Sequence, residues 1–346
     1  MKNIFLAFLI LFLSIQKIEA QKEQKVKRDF RIMFYNVENL FDLENDSLTN
    51  DDEFTEEGER HWNSTKYYDK LTKIAKVVIA VGEWSAPDII GVCEIENRHV
   101  LEGITNFSPL KTIKYKIIHQ NSPDRRGIDV GFLYRPEKFK PINYEAIPIN
   151  FPNVPEHKTR DILHVTGIAN NNDTLNIFVN HWPSRWGGQL ESEDSRIYVA
   201  SVLRAKVDSI FSNDATPNIV IIGDLNDYPE NISISKTLNA KSEYTNPNKK
   251  ELYNLAWHLQ TQKLGSHKYG GEWGILDQII ISGDLLNAEN KTITSINDAH
   301  IFNANFLLEP DKSNVGFKPF RTYVGFKYND GYSDHLPVFL DLYFKK

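Results

Sequence analysis

Short apolar runs recur along the chain and predict the strands of a sheet-rich structure. The runs are rich in β-branched and aromatic residues, and most of them end at a polar side chain, as strands do where they meet a loop. Eight runs fit this description: Phe30 to Asn36, Asp88 to Glu94, Asp129 to Arg135, Ile162 to Ala169, Leu175 to His181, Asn218 to Asp224, Leu276 to Ser282 and Leu336 to Phe344.

Two longer stretches carry apolar residues at helical spacing, and each predicts a helix that buries one stripe against a sheet. Strands and helices mixed in this order favour an α/β or α+β sandwich with polar residues collected at strand ends. Residues 287–329 are rich in Asn, Phe and Lys and are predicted to be mostly loop. The helical positions are Leu71, Ile74, Ala75, Val78 and Val81 in one stretch, and Ile197, Ala200, Leu203, Val207, Ile210 and Phe211 in the other.

The first twenty residues differ from the rest of the chain. Lys2 precedes an apolar run from Ile4 to Leu13, and a short polar stretch follows, ending at Ala20. This is the pattern of a cleaved export signal. A membrane anchor is a weaker interpretation, because a run of this length cannot cross roughly 30 Å of hydrocarbon. We therefore expect a secreted or periplasmic protein with one domain over residues 21–346 and no integral membrane segment.

Charge and cysteine usage narrow the picture further. The formal net charge is −6, and removing residues 1–20 takes away two Lys and one Glu, which gives −7. A mildly acidic chain argues against a protein held on nucleic acid by a broad basic face. Cys93 is the only cysteine, so an intramolecular disulfide is excluded, and its apolar neighbours predict a buried, inert thiol.

The segment from Asp42 to Glu59 is strongly acidic and contains neither Lys nor Arg. A solvated loop is the expected structure for such a charge block. A calcium site is the alternative, although the segment lacks the Gly turn and closing Glu of an EF-hand loop. Its carboxylates are Asp42, Glu44, Asp46, Asp51, Asp52, Glu53, Glu56, Glu57 and Glu59.

Residues suited to one hard-cation phosphate site follow the predicted strands. Carboxylate and amide oxygens are the ligands that Mg²⁺ prefers, and a neighbouring His can assist proton transfer. Each short motif alone is a weak signal, but the ordered set is specific: Asn36 in Tyr-Asn-Val-Glu-Asn, Glu94 in Val-Cys-Glu-Ile-Glu, His181 in Val-Asn-His-Trp-Pro-Ser, Asp224 and Asn226 in Gly-Asp-Leu-Asn-Asp, and Asp334 with His335 in Ser-Asp-His-Leu-Pro-Val.

In this order the motifs resemble those of the endonuclease/exonuclease/phosphatase superfamily, whose members include DNase I-like nucleases. The resemblance runs from about Phe30 to Phe344. It implies a DNase I-like four-layer α/β/β/α sandwich with the active site at one edge of the sheets. It also implies that Glu94, Asn36 and Asp334 hold a divalent cation, which would be Mg²⁺, with Mn²⁺ or Ca²⁺ as alternatives.

The same resemblance assigns roles to the remaining motif residues. Asp224 would orient or deprotonate the nucleophile, and Asn226 would hold the scissile phosphate. These two flank Leu225 in a segment predicted to be extended, so their side chains should point to the same side. His335 resembles the final active-site His of the family, and Asp277 resembles the Asp that fixes its tautomer.

Other polar residues are candidates for substrate contacts. His181 and Arg160 occupy positions where family members contact phosphate, and an Arg fork suits that ligand. Arg126 and Arg321 could line the substrate groove, although loop charges are commonly just solvated. Trp182 and Trp186 follow His181, and both a stacking wall beside the site and core packing remain open for them. The loop residues that could line the substrate groove form two patches, one with Arg125, Arg126 and Asp129 and the other with Lys318, Arg321 and Tyr323.

The sequence therefore predicts an exported, divalent-metal-dependent phosphoric ester hydrolase. A nuclease or phosphodiesterase is the first hypothesis. A lipid or inositol phosphate phosphodiesterase or phosphatase, similar to a sphingomyelinase, is the second. A catalytically inactive ligand-binding protein on the same fold is a third, because fold does not fix function.

Overall fold

The computed structural model describes residues 27–185 and 187–345 of the chain. The longer strands are β1 (Phe30–Leu40), β2 (Ile89–Ile95), β4 (Asp129–Tyr134), β5 (Phe139–Ile147), β6 (Ile162–Ala169), β7 (Thr174–His181), β8 (Ile219–Asp224), β13 (Asp277–Ser282) and β20 (Val338–Phe344). The shorter strands are β3 (Lys116–His119), β9 (Ala240–Lys241), β10 (Leu252–Asn254), β11 (His267–Tyr269), β12 (Glu272–Gly274), β14 (Thr292–Ile293), β15 (Ala299–Ile301), β16 (Leu308–Pro310), β17 (Phe317–Pro319), β18 (Tyr323–Val324) and β19 (Lys327–Tyr328).

The α-helices within these residues are α1 (Ser64–Gly82), α2 (Arg98–Asn106), α3 (Gln189–Asn213) and α4 (Ala256–Thr261). Asn63 caps α1 by accepting a hydrogen bond from the Lys66 N–H, and Asn97 caps α2 in the same way through the Val100 N–H. Such caps satisfy backbone donors that have no partner inside the helix. They fix where each helix leaves the preceding loop.

Two seven-stranded sheets form from the described residues. Sheet I has the order β14-β20-β1-β2-β4-β3, with β15 also paired to β20, and sheet II has the order β5-β6-β7-β8-β13-β10-β9. The pairs β1/β2 and β7/β8 are parallel, so in each pair both strands end at the same edge of their sheet. Three hairpins, β11/β12, β16/β17 and β18/β19, stand outside the two sheets.

The sheets pack face to face through apolar side chains, and they approach each other closely at Gly91 of β2. A Cβ atom built on Gly91 would lie 2.8 Å from Ile222 Cδ1 and 3.1 Å from Val179 Cγ1, both of sheet II. Helices α1 and α2 cover the outer face of sheet I, and Leu203 and Val207 of α3 pack in the core against the outer face of sheet II. The predicted four-layer α/β/β/α sandwich is confirmed.

All eight predicted strands are present, and each boundary lies within a few residues of the prediction. Both predicted helices are also present as α1 and α3. The sequence analysis missed the edge strands β3 and β5, the short strands β9, β10, β11 and β12, and the helices α2 and α4. Strand β5 is an edge strand with several exposed positions, so it carries little apolar alternation. Residues 287–329 contain several short strands between stretches without regular structure.

The acidic segment is only partly the solvated loop that was predicted. Most of its carboxylates are exposed, but Asp51 is buried, and Phe54 joins the core by stacking on Phe41 with ring centroids 4.1 Å apart. The thiol of Cys93 is buried, as predicted, and burial raises its pKa well above the ordinary value. Within the described residues, the helices are too short or too polar to span a bilayer. The predicted signal at residues 1–20 lies outside the described residues.

Candidate active site

The two parallel strand pairs bring the predicted site residues to one edge of the sandwich. Asn36 is the last regularly paired residue of β1 before its bulge, and Glu94 is the penultimate residue of β2. His181 and Asp224 are register partners at the ends of β7 and β8. Asp277 begins the antiparallel strand β13 directly opposite Asp224. Each sheet therefore contributes part of the same cluster, because parallel neighbours must end side by side.

Asn36 joins the two sheets at this edge. Its buried amide nitrogen donates to Asp224 Oδ2 at 3.1 Å and to Glu94 Oε1 at 3.3 Å. The amide oxygen accepts the N–H of Glu38 at 3.0 Å. One side chain thus holds a carboxylate from each sheet close enough to act on a single ligand.

A bulge in β1 fixes the carboxylate of Glu94 from the other side. The register of β1 against β2 shifts between Asn36 and Leu40, and Glu38 and Asn39 both have left-handed backbone, with φ of 53° and 55°. The turn directs the Asn39 N–H to Glu94 Oε2 at 3.1 Å. Left-handed residues other than Gly are uncommon and concentrate at functional sites, which agrees with this placement.

His335 and Asp277 form the predicted pair. His335 Nδ1 lies 2.7 Å from Asp277 Oδ2, and His335 Nε2 lies 3.7 Å from Asp224 Oδ2. Burial lowers the pKa of His335, but the carboxylates of Asp277 and Asp224 outweigh it and hold the pKa well above its usual value. The imidazole is therefore protonated near neutral pH, with one nitrogen fixed by Asp277 and the other facing Asp224.

The pKa of Asp224 is raised to about 6. Burial is the main cause, the charge of His335 opposes it, and the charge of Asp277 adds to it. A carboxylate with this pKa is mostly ionised at pH 7 and still basic enough to accept a proton, which is the property a general base needs.

His181 differs from His335 because it is neutral. Burial, together with the charges of Arg160, Arg126 and His335, holds its pKa well below the usual value. Its Nε2 lies 3.8 Å from Glu94 Oε1 and 3.9 Å from Asp224 Oδ2, so these contacts are not ion pairs. A neutral imidazole at this position can donate or accept a hydrogen bond without adding charge.

The prediction of an extended segment at Asn226 is wrong. Strand β8 ends at Asp224, and Asn226 is left-handed with φ of 50°, so its own N–H turns back to Asp224 Oδ1 at 3.0 Å. The side-chain amide donates to the carbonyl of Trp182 at 3.0 Å, and Arg185 Nε donates to the Asn226 carbonyl at 2.7 Å.

Trp182 is packed in the core rather than in a stacking wall, and Trp186 lies outside the described residues.

Arg160 lies at the site, but its guanidinium is occupied by protein acceptors. It donates to Asp124 Oδ2 at 2.9 Å, to the carbonyl of His181 at 3.2 Å and to the carbonyl of Trp182 at 2.6 Å. These contacts hold the end of β7 in place. Arg126 is exposed on the neighbouring loop, and its charge lowers the pKa of His181, which places it near the same cluster.

The loop after β19 carries Asp334 and His335 and is fastened to β1. Ser333 Oγ donates to the carbonyl of Asn36 at 2.7 Å and accepts the His335 N–H at 3.1 Å. Asp334 accepts a hydrogen bond from Arg321 Nη2 at 2.9 Å. This carboxylate is thus paired with an arginine in the structure.

Four supporting residues were not singled out from the sequence: Glu38, Ser266, His267 and Ser333. Ser266 is fully buried, and it accepts the Asp277 N–H on Oγ at 3.2 Å and the Leu336 N–H on its carbonyl at 2.7 Å. The ring of His267 lies against His335 with centroids 4.7 Å apart. Glu38 belongs to the Tyr-Asn-Val-Glu-Asn motif that contains Asn36. A supporting Ser or His cannot be distinguished from an ordinary loop residue by sequence.

The donor set fits a hard divalent cation. The Glu94 and Asp224 carboxylates both accept from the Asn36 amide nitrogen, the Asn36 amide oxygen accepts the Glu38 N–H, and no Lys or Arg among the described residues forms an ion pair with Glu94 or Asp224. The Glu94 side chain keeps 15% of its surface exposed, so it remains open to a partly hydrated ion. Mg²⁺ and Mn²⁺ prefer such oxygen ligands and retain several waters.

The fold and the edge cluster define a DNase I-like phosphoesterase architecture. Sequence comparison identifies the protein family. A sequence profile described as Endonuclease/Exonuclease/phosphatase family matches residues 31–344, so the chain belongs to this family. No curated protein sequence matches the chain.

Solved structures of named proteins share the fold. The catalytic domain of human Nocturnin with bound sulfate has 16% identity and a TM-score of 0.52, with 91% of this chain and 94% of that chain covered. Truncated TDP2 of Caenorhabditis elegans has 17% identity and a TM-score of 0.54, with 91% and 97% covered. TDP2 of D. rerio complexed with a single-strand DNA product has 12% identity and a TM-score of 0.55, with 90% and 98% covered.

Proposed function

We propose that the protein is a divalent-metal-dependent phosphoesterase whose first substrate class is a nucleic acid or another phosphodiester. The observation that carries the proposal is the contact chain from Asp277 through His335 to Asp224, which lies beside Asn36 and Glu94 at one sheet edge. A base, a charged acid and a cation site within one cluster are the parts that in-line phosphoester hydrolysis requires.

Each residue then has a distinct task. Asp224, with its pKa near 6, positions a water and accepts its proton. His335, protonated and held by Asp277, stabilises negative charge that develops on the phosphate oxygens. Neutral His181 donates a further hydrogen bond to the phosphate.

Glu94 would hold the cation through a carboxylate oxygen, and the family resemblance implies Asn36 and Asp334 as the other two ligands. Asn36 would use the second lone pair of its amide oxygen, since its nitrogen faces Glu94 and Asp224. A bound Mg²⁺ or Mn²⁺ supplies charge neutralisation at a phosphate oxygen. Asn36 also keeps Glu94 and Asp224 at a fixed separation through its two hydrogen bonds. Ca²⁺ would also accept these oxygen ligands, and the assay below includes it.

A specific observation favours a lipid phosphodiester as the second candidate substrate. The hairpins beside the site expose large apolar side chains, among them Tyr269, Val315 and Phe317, which are 82%, 95% and 56% exposed. The Lys268 ammonium donates to the carbonyls of Val315 and Phe317, so the two hairpins are joined. An apolar rim next to His267 and His335 suits a substrate presented at a lipid surface.

The test is hydrolysis by purified residues 21–346 of DNA, RNA, sphingomyelin vesicles, inositol phosphates and a chromogenic phosphodiester, each with Mg²⁺, Mn²⁺, Ca²⁺ or EDTA. We expect metal-dependent turnover of one class. His335→Ala and Asp224→Asn should each lower kcat about 100-fold or more, because each removes a proton-transfer or charge-stabilising group.

The matched control is His99→Ala, since His99 is exposed on α2 and is none of the cluster residues; it should retain the parent rate. Equal rates for parent and His335→Ala, with both proteins folded, would contradict the proposal. Turnover of vesicles but not of DNA or RNA would select the lipid candidate. No turnover of any substrate would support an inactive ligand-binding protein instead.

A further inference from the structure

The carboxylate of Glu38 accepts hydrogen bonds from the loop that precedes Asp334. Its Oε2 accepts the Thr322 N–H at 2.6 Å, and its Oε1 accepts Arg321 Nε at 3.3 Å and the Tyr323 N–H at 3.4 Å. The residue is buried, with 4% of its surface exposed. Three donors from consecutive residues therefore occupy this carboxylate, although it lies only two positions after Asn36.

Arg321 connects this carboxylate to the proposed cation site. The same guanidinium that donates through Nε to Glu38 Oε1 donates through Nη2 to Asp334 Oδ2 at 2.9 Å. One positive charge is thus shared between a buried carboxylate and a carboxylate proposed to bind the cation. Planar guanidinium groups suit this arrangement, because their nitrogens point in fixed directions.

Lys70 of α1 makes the framework around Arg321 rigid. Its buried ammonium donates to the Thr322 hydroxyl and to the carbonyl of Tyr332 at 2.6 Å. These two acceptors flank the segments that carry Arg321 and Asp334. Lys70 thus fixes the two chain segments relative to each other, while the Arg321 side chain, 41% exposed, is held by its own contacts with Glu38 and Asp334.

We propose that Glu38 and Arg321 are positioning residues that set the affinity of the cation site through Asp334. This inference rests on the proposed function. Arg321 neutralises part of the charge on Asp334 and so weakens the attraction that this carboxylate exerts on a cation. Because Glu38 also pairs with the Arg321 guanidinium, it limits how far Arg321 neutralises Asp334. The pair would keep cation binding reversible while holding Asp334 in one orientation.

The test measures Mn²⁺ binding to the purified protein without substrate, by titration calorimetry or by the electron paramagnetic resonance of free Mn²⁺. Arg321→Met should tighten binding by roughly three- to tenfold, because a unit charge beside a ligand carboxylate is removed. Arg321→Lys keeps the charge but not the two fixed donor directions, so it should tighten binding less than Arg321→Met does. Glu38→Gln should weaken binding by a similar factor, since Arg321 then pairs with Asp334 alone.

The double variant Glu38→Gln/Arg321→Met separates an indirect role from a direct one. If Glu38 acts through Arg321, its substitution should have little effect once Arg321 is absent. An equal loss of affinity in both backgrounds would show that Glu38 itself binds the cation and would overturn the inference. Arg204→Met, which removes a surface partner of Asp208 on α3, is the control and should leave binding unchanged.

Glu94→Gln distinguishes failure of this inference from failure of the proposed function. If Glu94→Gln abolishes Mn²⁺ binding but Arg321→Met leaves it unchanged, the cation site stands and the positioning role is wrong. If Glu94→Gln binds Mn²⁺ like the parent, the cation site itself is misplaced. Unfolding curves of each variant confirm that the protein titrated is folded.

Discussion

The two histidines of the cluster carry different charges because their surroundings differ. His335 faces Asp277 and Asp224, whose charges outweigh the cost of burial, whereas His181 is buried beside Arg160 and loses its proton. The two aspartates also differ in their contacts. Asp277 accepts a hydrogen bond from His335, whereas Asp224 is the carboxylate whose raised pKa suits proton exchange. Roles at this scale follow from partners and not from residue type.

Asp161, next to Arg160, offers a test of such a partner effect on stability. Burial raises its pKa to about 6; the Ile149 N–H lowers it and Asp129 raises it. Because the folded pKa exceeds the unfolded value of about 3.9, the stabilising protonated form is complete below about pH 4 and is lost as the pH rises through 6. Asp161→Asn should therefore raise Tm by about 2 to 4 °C at pH 7.5 and hardly at all at pH 4.

Thermal unfolding followed by fluorescence between pH 4 and pH 8 would measure this. His99→Ala should follow the parent at every pH. A Tm difference between Asp161→Asn and the parent that stays constant across the range would mean that Asp161 does not titrate in the folded protein as described.

At the residue scale, the sequence identified the members of the cluster but not their contacts. Asn226 was expected to share a face with Asp224, and its left-handed backbone instead turns its N–H onto that carboxylate. Arg160 was expected to bind phosphate, and its nitrogens are engaged by Asp124 and by two carbonyls of the β7 end. Neither outcome has a local signal, because each depends on a neighbouring strand.

The elements are placed by the contact between the two sheets. Sheet I supplies Asn36 and Glu94, sheet II supplies His181, Asp224 and Asp277, and the sheets must lie close for the Asn36 amide to reach Asp224. Gly91 permits this closeness, since Ile222 and Val179 fill the space where its side chain would be. Close packing in β2 thus has a direct effect on the site three residues later.

Enlarging Gly91 should separate the sheets. We expect Gly91→Ala to destabilise the fold modestly and Gly91→Val by about 1 to 3 kcal/mol, because a packed core has no room for added methyl groups. Urea unfolding would give the free energy, and the catalytic rate should fall alongside it. Ala80→Val adds methyl groups at a partly exposed position of α1 and should cost less. Equal costs at the two positions would contradict the packing argument.

Element prediction succeeded for the long buried strands and failed for short strands such as β10 and for the edge strand β5. The runs that became β6 and β8 are nearly continuous apolar segments, and their bounds were predicted to within one residue. Strand β5 is paired on one side only and exposes Ile142 and Tyr144, so neither alternation nor an apolar run marks it. Strand β5 forms by pairing with β6, and this long-range pairing cannot be recognised from the residues of β5 alone.

At the scale of the whole molecule, the order of motifs was sufficient to predict the four-layer fold, but the export prediction rests on sequence alone. We expect the full chain, produced in a bacterium with its own leader, to appear in the periplasm or medium with residues 1–20 removed. Mass spectrometry of the purified protein would identify the new N-terminus. The double substitution Leu9→Asp/Leu11→Asp should leave the uncleaved protein in the cytoplasm, while Lys22→Ala should be exported normally.

The pairing of β20 with β1 has a consequence for when the enzyme becomes active. Phe30 pairs with Leu342, and Ser333 ties the His335 loop to Asn36, so the cluster joins segments about three hundred positions apart in sequence. No fragment that lacks either segment can assemble it. If the chain is exported unfolded and hydrolyses nucleic acid, as proposed above, hydrolysis would begin only after the finished protein has folded on the far side of the membrane, away from the nucleic acids of the producing cell.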